Sequence, residues 1–146
     1  LRSLAVEPAR ALHFQVDLRH PNEALLRKAF EASLGGDVAP LRSIFDPKVN
    51  RRVSGHGPLS GELNGFDAIL AWGAQLFQRS GGTWKEELLE VVANADAAFM
   101  RATYLATRQG RSVEGQSVNA FRIRAGQIVE CRVFFGRQHG SDDFGS

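Results

Sequence analysis

The chain has 146 residues, 43% of them hydrophobic and 23% charged, with a formal net charge of +2 and one cysteine, Cys131. This length supports a single domain with its own core. One cysteine excludes an internal disulfide or a cysteine-based metal motif, and no apolar run approaches the roughly 20 residues that span a membrane. Arginines outnumber lysines fifteen to three but are scattered, with Arg51-Arg52 the one adjacent pair. A concentrated basic face for nucleic acid is therefore not expected. Together these features fit a cytoplasmic protein without nucleic-acid or membrane partners.

In chain order, LRSLAVEPARALHFQVDLRH mixes apolar and basic positions and lacks the continuous apolar core of a secretory signal. Glu7 and Asp17 weigh against a transit segment. Residues 1–19 are read as an extension with a short strand at His13 to Leu18, ahead of a domain over 20–146. His20-Pro21-Asn22-Glu23 predicts a helix start, through a capping residue or an early proline. Leu25, Leu26, Ala29, Phe30 and Leu34 form its apolar stripe, and Gly35-Gly36 ends it. Asp37 is expected to cap a short second helix, VAPLRSIF, stopped by Asp46-Pro47. A first strand follows over Lys48 to Ser54.

The segment RRVSGHGPLSGELNGFDAIL holds four glycines and a proline around His56. A long helix then places Phe66, Ile69, Leu70, Gly73, Leu76 and Phe77 at spacings of three and four. From Thr83 the period changes to two, predicting strands over 83–93, 97–108, 111–124 and 127–135 with turns short enough for antiparallel hairpins. Helices followed by a meander define an α+β fold, with the helices on one face of the sheet.

Polar residues that interrupt apolar faces are the candidate site. Strand alternation groups Val113, Ser117, Asn119, Phe121 and Ile123, so Asn119 is the amide on the more apolar face, either a hydrogen-bonded core amide or a pocket group. Tyr104 stands among Ala98, Met100, Ala102 and Ala106, where small neighbours either pack or leave a hollow with the phenol as its polar tip. Val129, Cys131, Val133 and Phe135 form an apolar face that meets a core or another subunit, opposite Ile128, Glu130, Arg132 and Phe134. Arg132 is read as a pocket-rim guanidinium or as the solvated partner of Glu130. His56 is a candidate acid/base or an ordinary loop residue. GHGPLSG is neither a nucleophile elbow nor a phosphate loop, and four scattered histidines give no metal-ligand spacing.

The stretches HPNEALLRKAFEASLGGD, FDPKVNRRVSGHGPLSGELNGFDAILAW, SGGTWKEELLEVVANAD and AFRIRAGQIVECRVFF resemble the SnoaL-like polyketide cyclase branch of the nuclear transport factor 2-like superfamily, which includes ketosteroid isomerase and limonene epoxide hydrolase. The most characteristic pieces are G-x-x-P-L-x-G at Gly55–Gly61 and FRIRAGQIVE at Phe121–Glu130. The resemblance implies a strongly curved, mostly antiparallel sheet wrapped around the helices as a cone, with the glycine-rich segment near its mouth. It also implies a homodimer joined through the sheet and no cofactor. Relatives carry a general acid/base aspartate where this chain has Arg137, which cannot abstract a proton; Asp142 and Asp143 are the nearby alternatives.

Three functions follow as expectations. One is a cofactor-independent isomerase, cyclase or hydratase acting on a lipophilic oxygenated compound, with His56 as proton carrier and Tyr104, Asn119 and Arg132 as donors. The second is a non-catalytic module holding such a ligand in the same cone, with Trp72 as a wall, unless Trp72, Phe77 and Trp84 fill the cone themselves. The third is an interaction protein that pairs through the Val129–Phe135 face.

Overall fold

The computed structural model describes residues 19–136. The strand expected at 13–18 and the positions Arg137, His139, Asp142 and Asp143 lie outside the described residues.

Helix α1 (Pro21–Gly35) begins as its sequence directs. His20 takes extended backbone angles and its Nδ1 accepts the Asn22 N–H at 3.0 Å, while Pro21 occupies the first turn, where a missing N–H costs nothing. Gly36 ends the helix at φ +69°, a left-handed conformation that glycine adopts without a Cβ penalty. Leu26, Ala29 and Phe30 are buried along one stripe. Helix α2 (Val38–Ile44) buries Leu41 and Ile44; Asp37 stands at its N-cap but makes no side-chain capping bond, so that expectation fails. The third helix, α3 (Phe66–Arg79), buries Phe66, Ile69 and Trp72.

The strands are β1 (Phe45–Val53), β2 (Gly61–Asn64), β3 (Lys85–Ala93), β4 (Ala97–Arg108), β5 (Arg111–Arg124) and β6 (Gln127–Phe135), in one sheet of order β2-β1-β6-β5-β4-β3. The predicted meander β3-β4-β5-β6 is antiparallel throughout, β1 joins β6 in parallel, and β2 pairs antiparallel with β1. The α+β class and the mostly antiparallel, curved sheet are as expected. Register shifts between Leu88 and Glu90 and between Arg122 and Ile123 mark the bends, because an extra residue on one strand kinks it and increases its twist.

Further features differ from the sequence reading: β1 begins at Phe45 and ends at Val53, so Asp46-Pro47 lies inside the strand expected over Lys48 to Ser54. Gly61–Asn64 is a strand, not only a crossing loop; it is short, exposed and at the sheet edge, with too little apolar content to announce itself. In β6 the shift pairs Ile123 with Ile128 but Arg122 with Glu130, leaving Val129 as the extra residue. Ile128 therefore turns into the core at 0% exposure alongside Cys131 and Val133, instead of sharing the face of Glu130 and Arg132. The apolar face of β6, which the sequence left open as core or partner surface, is core at Cys131 and Val133.

The glycine-rich segment resolves as a set of backbone requirements. Gly55, Gly61 and Gly65 all have positive φ. Gly65, at φ +92° and ψ 152°, occupies a region essentially reserved for glycine, and its N–H donates to the Val49 carbonyl at 2.7 Å, fastening the start of α3 to β1. Helix α1 packs against α2, β3 and β4, whereas α3 packs against β1 and β2. The concave face of the sheet is thus covered from two ends.

Candidate functional site

Between the helices and the concave sheet lies a cavity of about 670 Å³, within the range typical of small-molecule pockets. Leu26, Phe30, Phe45, Phe66, Ile69, Met100, Phe121 and Val133 supply much of its apolar wall. Leu34 and Val38 from one side and Phe77 from the other are exposed while also lining the cavity, giving it an apolar mouth. Phe77, 56% exposed, is therefore at the rim and does not fill the interior.

Among the described residues that line this space, the ionisable ones are Arg51 and Glu86. They come from β1 and β3, strands separated by three others, and sheet curvature turns both toward the same volume. Alternation along β3 sets Glu86 on the same side as Leu88, and Trp84 just before the strand faces the same cavity. The indole Nε1–H of Trp84 donates to Glu86 Oε1 at 2.8 Å. The Trp84 ring stacks on Tyr104 at 5.1 Å between centroids, and Phe135 meets both rings edge-on. The backbone N–H of Trp84 donates to Ser80 Oγ at 3.1 Å, and Ser80 is fully buried at the end of α3. Glu86 is thus oriented by an indole that is itself held by Tyr104 stacked on its ring, by Phe135 and by its own backbone N–H.

Burial pushes the Glu86 carboxyl above its ordinary range, opposed by the Trp84 hydrogen bond and by the positive charge of Arg51. A carboxyl whose charged form is disfavoured in this way can donate its proton or, once ionised, accept one. Burial also raises the thiol of Cys131, which keeps it protonated and a poor nucleophile.

Arg51 is supported differently. Its guanidinium lies 4.5 Å from the Trp72 ring centre, a cation–π contact. Trp72 is buried and its Nε1–H donates to the Leu59 carbonyl at 2.7 Å. Leu59 belongs to the glycine-rich segment, which therefore contributes to the cavity by fixing Trp72 as well as by turning the chain. Asn119 on β5 is 9% exposed and lines the cavity with its neighbour Ser117, while its Oδ1 receives a weak contact from the Cys131 thiol at 4.0 Å.

The residues singled out from sequence divide accordingly. Trp72 and Asn119 line the cavity. Tyr104, 2% exposed, stands one layer behind, stacked on Trp84. Arg132 lies on the opposite face of the sheet, paired with Glu130 and donating to Asn50 Oδ1 at 3.0 Å, because alternation turns it away from Cys131 and Val133. His56 is exposed in the loop between β1 and β2 and is not among the cavity residues. The sequence reading missed Arg51 and Glu86. Glu86 carried a signal, a charge at the two-residue spacing between Trp84 and Leu88; Arg51 sat in an adjacent arginine pair that looked solvated. No group of three or more His, Cys, Asp or Glu residues suited to a metal occurs among the described residues, and no helix there is long and apolar enough to cross a membrane.

Comparison with known proteins agrees with this architecture. A family model described as a SnoaL-like domain matches residues 26–131. An uncharacterized protein of Mycobacterium tuberculosis is 26% identical over 121 residues, covering 82% of this chain and 92% of that protein. Among solved structures, Bal32a from a soil-derived mobile gene cassette superposes with a TM-score of 0.80 at 25% identity, covering 86% of this chain and 96% of that one. IdmH, a candidate polyketide cyclase from Streptomyces antibioticus, superposes with a TM-score of 0.68 at 17% identity, over 84% of this chain and 98% of its own.

The raised carboxyl of Glu86 gives stability a definite pH dependence. The native state holds this proton above the ordinary value of about 4.5, where the unfolded chain releases it. The native state then binds more protons than the unfolded state, so stability falls as pH rises through that window. Replacing Glu86 by Gln removes this component. The melting temperature of Glu86→Gln relative to the parent should therefore climb between pH 4 and pH 8 in thermal denaturation; a constant difference would contradict the assignment.

Proposed function

This chain belongs to the SnoaL-like domain family, and we propose that it binds a lipophilic oxygenated small molecule in the cavity and moves a proton on it without a cofactor, in an isomerisation, cyclisation or hydration. The observation that carries this reading is a desolvated carboxyl, Glu86, fixed at the wall of an apolar cavity of small-molecule size. In such surroundings a carboxyl holds its proton more tightly than in water, which moves it toward acid/base work.

Glu86 takes the role of proton carrier that the sequence suggested for His56. In its neutral form it can protonate a ligand oxygen; in its ionised form it can remove a proton from carbon adjacent to a carbonyl. Trp84 fixes the carboxyl orientation through Oε1, leaving the other oxygen for the ligand. Asn119 and Ser117 offer hydrogen bonds to a ligand carbonyl or hydroxyl, while Trp72 provides a flat wall. The similarity to a candidate polyketide cyclase is compatible with this chemistry but extends to the fold alone.

The same fold carries an apolar surface on its convex side. Val92, Phe99, Val118 and Phe134 are 56%, 53%, 38% and 51% exposed, with Val92 paired opposite Phe99 and Val118 opposite Phe134. This face, not the buried side of β6, is the one we assign to a homodimer formed through the sheet. Burial of such large side chains would contribute about 1.5–3 kcal/mol each.

A thermal-shift screen of lipophilic ketones, polyketides and epoxides supplies candidate substrates, whose conversion is then followed by mass spectrometry. Glu86→Gln should lower turnover by about 10²–10⁴-fold, the usual contribution of a general acid/base, with ligand affinity little changed. His56→Ala should stay within about threefold of the parent. A converted ligand with unimpaired Glu86→Gln turnover would overturn the mechanism, and a bound ligand returned unchanged would identify a binding module instead. Sedimentation at tens of micromolar should give a dimer that Phe99→Glu converts to monomer; a monomeric parent would contradict the interface.

A further inference from the structure

We propose that Arg51 is the anchor for the carboxylate of the ligand, so that the cavity selects flat lipophilic acids over their neutral counterparts. This deepens the reading of the cavity as a small-molecule site and rests on it.

Arg51 combines features not needed by a merely structural arginine. It is half-buried and lines the cavity, yet its Nε is sealed from solvent without a hydrogen-bond partner. No ion pair reaches its guanidinium among the described residues, although neighbouring arginines on the convex side, Arg52 and Arg132, have acidic partners. A guanidinium stays charged at any accessible pH, and a buried charge without a full set of partners is costly. Glu86, the other ionisable residue of the cavity wall, gives its Oε1 to Trp84, and burial disfavours its charged form.

The orientation of Arg51 suits an incoming anion. The guanidinium carbon lies over the Trp72 ring, and Trp72 is held in turn by the Leu59 carbonyl, which places the N–H donors of Arg51 in the cavity wall. A planar fork of N–H donors fixed in this way matches the two oxygens of a carboxylate better than a single ketone oxygen. Beyond this one cation the wall is dominated by aromatic and aliphatic side chains, including Phe45, Phe66 and Phe121. The complement is a rigid apolar body with a carboxylate at one end.

The test uses 2-naphthoate and 2-naphthamide, which share a ring system and differ in charge. Binding at pH 7 is read from quenching of tryptophan fluorescence, since Trp72 and Trp84 both line the cavity. The parent should prefer the naphthoate by about tenfold or more, as expected for a charge-assisted bidentate contact. Arg51→Gln should lose that preference while binding the naphthamide within about threefold of the parent, which also reports that the cavity has folded. Arg51→Lys should retain part of the preference through charge alone. Equal affinity for both probes in the parent, or an unchanged preference in Arg51→Gln, would overturn the assignment while leaving the cavity reading intact. Failure of both probes to bind at millimolar concentration would overturn the two together. Because the readout is binding, it is independent of whether Glu86 turns a ligand over.

Discussion

On a flat sheet, Arg51 and Glu86 would stand four strand spacings apart, about 19 Å. Here they line one cavity, and the charge of one bears on the protonation of the other. Sheet curvature is therefore the constraint on which the rest depends. It is produced locally, by bulges at Leu88–Glu90 and at Val129, and it converts residues distant along the sheet into opposing walls.

The cavity also illustrates how one segment can serve fold and site together. The glycines of Gly55–Gly65 are required by positive φ angles, and Gly65 ties the beginning of α3 to β1. Between them, the Leu59 carbonyl fixes the indole on which Arg51 rests. At the other end of the cavity Ser80, Trp84 and Tyr104 do the corresponding work for Glu86. Arg51 and Glu86 are each held by an indole of the wall that is anchored in turn by residues outside it, so their orientation precedes the arrival of a ligand and its ordering cost is largely met by folding.

Much of the fold was legible because local patterns and tertiary packing agree. The caps of α1 are local backbone requirements, and the two-residue period of β4 and β5 expresses a buried face; the three-and-four spacing of α3 runs from buried Phe66 and Ile69 to exposed Phe77 at the cavity mouth. Asn119 and Trp72 were found for the same reason, as exceptions or anchors on those surfaces. The period failed at Ile128, since one bulged residue reverses the facing of a strand and leaves no compositional trace. It did set Arg132 opposite Cys131 and Val133; the pocket-rim reading of Arg132 fails because that face is convex, and the pairing with Glu130 holds. Arg51 and Glu86 were hidden for another reason: each looks like an ordinary strand charge until curvature brings the two strands round the same space.

On the proposed mechanism Glu86 is an acid tuned by its cavity. The most direct test is a ¹³C NMR titration of the Glu86 side-chain carboxyl in the folded protein, assigned by comparison with Glu86→Gln. A midpoint clearly above the ordinary value of about 4.5 is expected, because burial outweighs the Trp84 hydrogen bond and the Arg51 charge. A midpoint at or below that value would show that Glu86 is simply a paired carboxylate, and the account of the cavity as a proton-transfer site would fail.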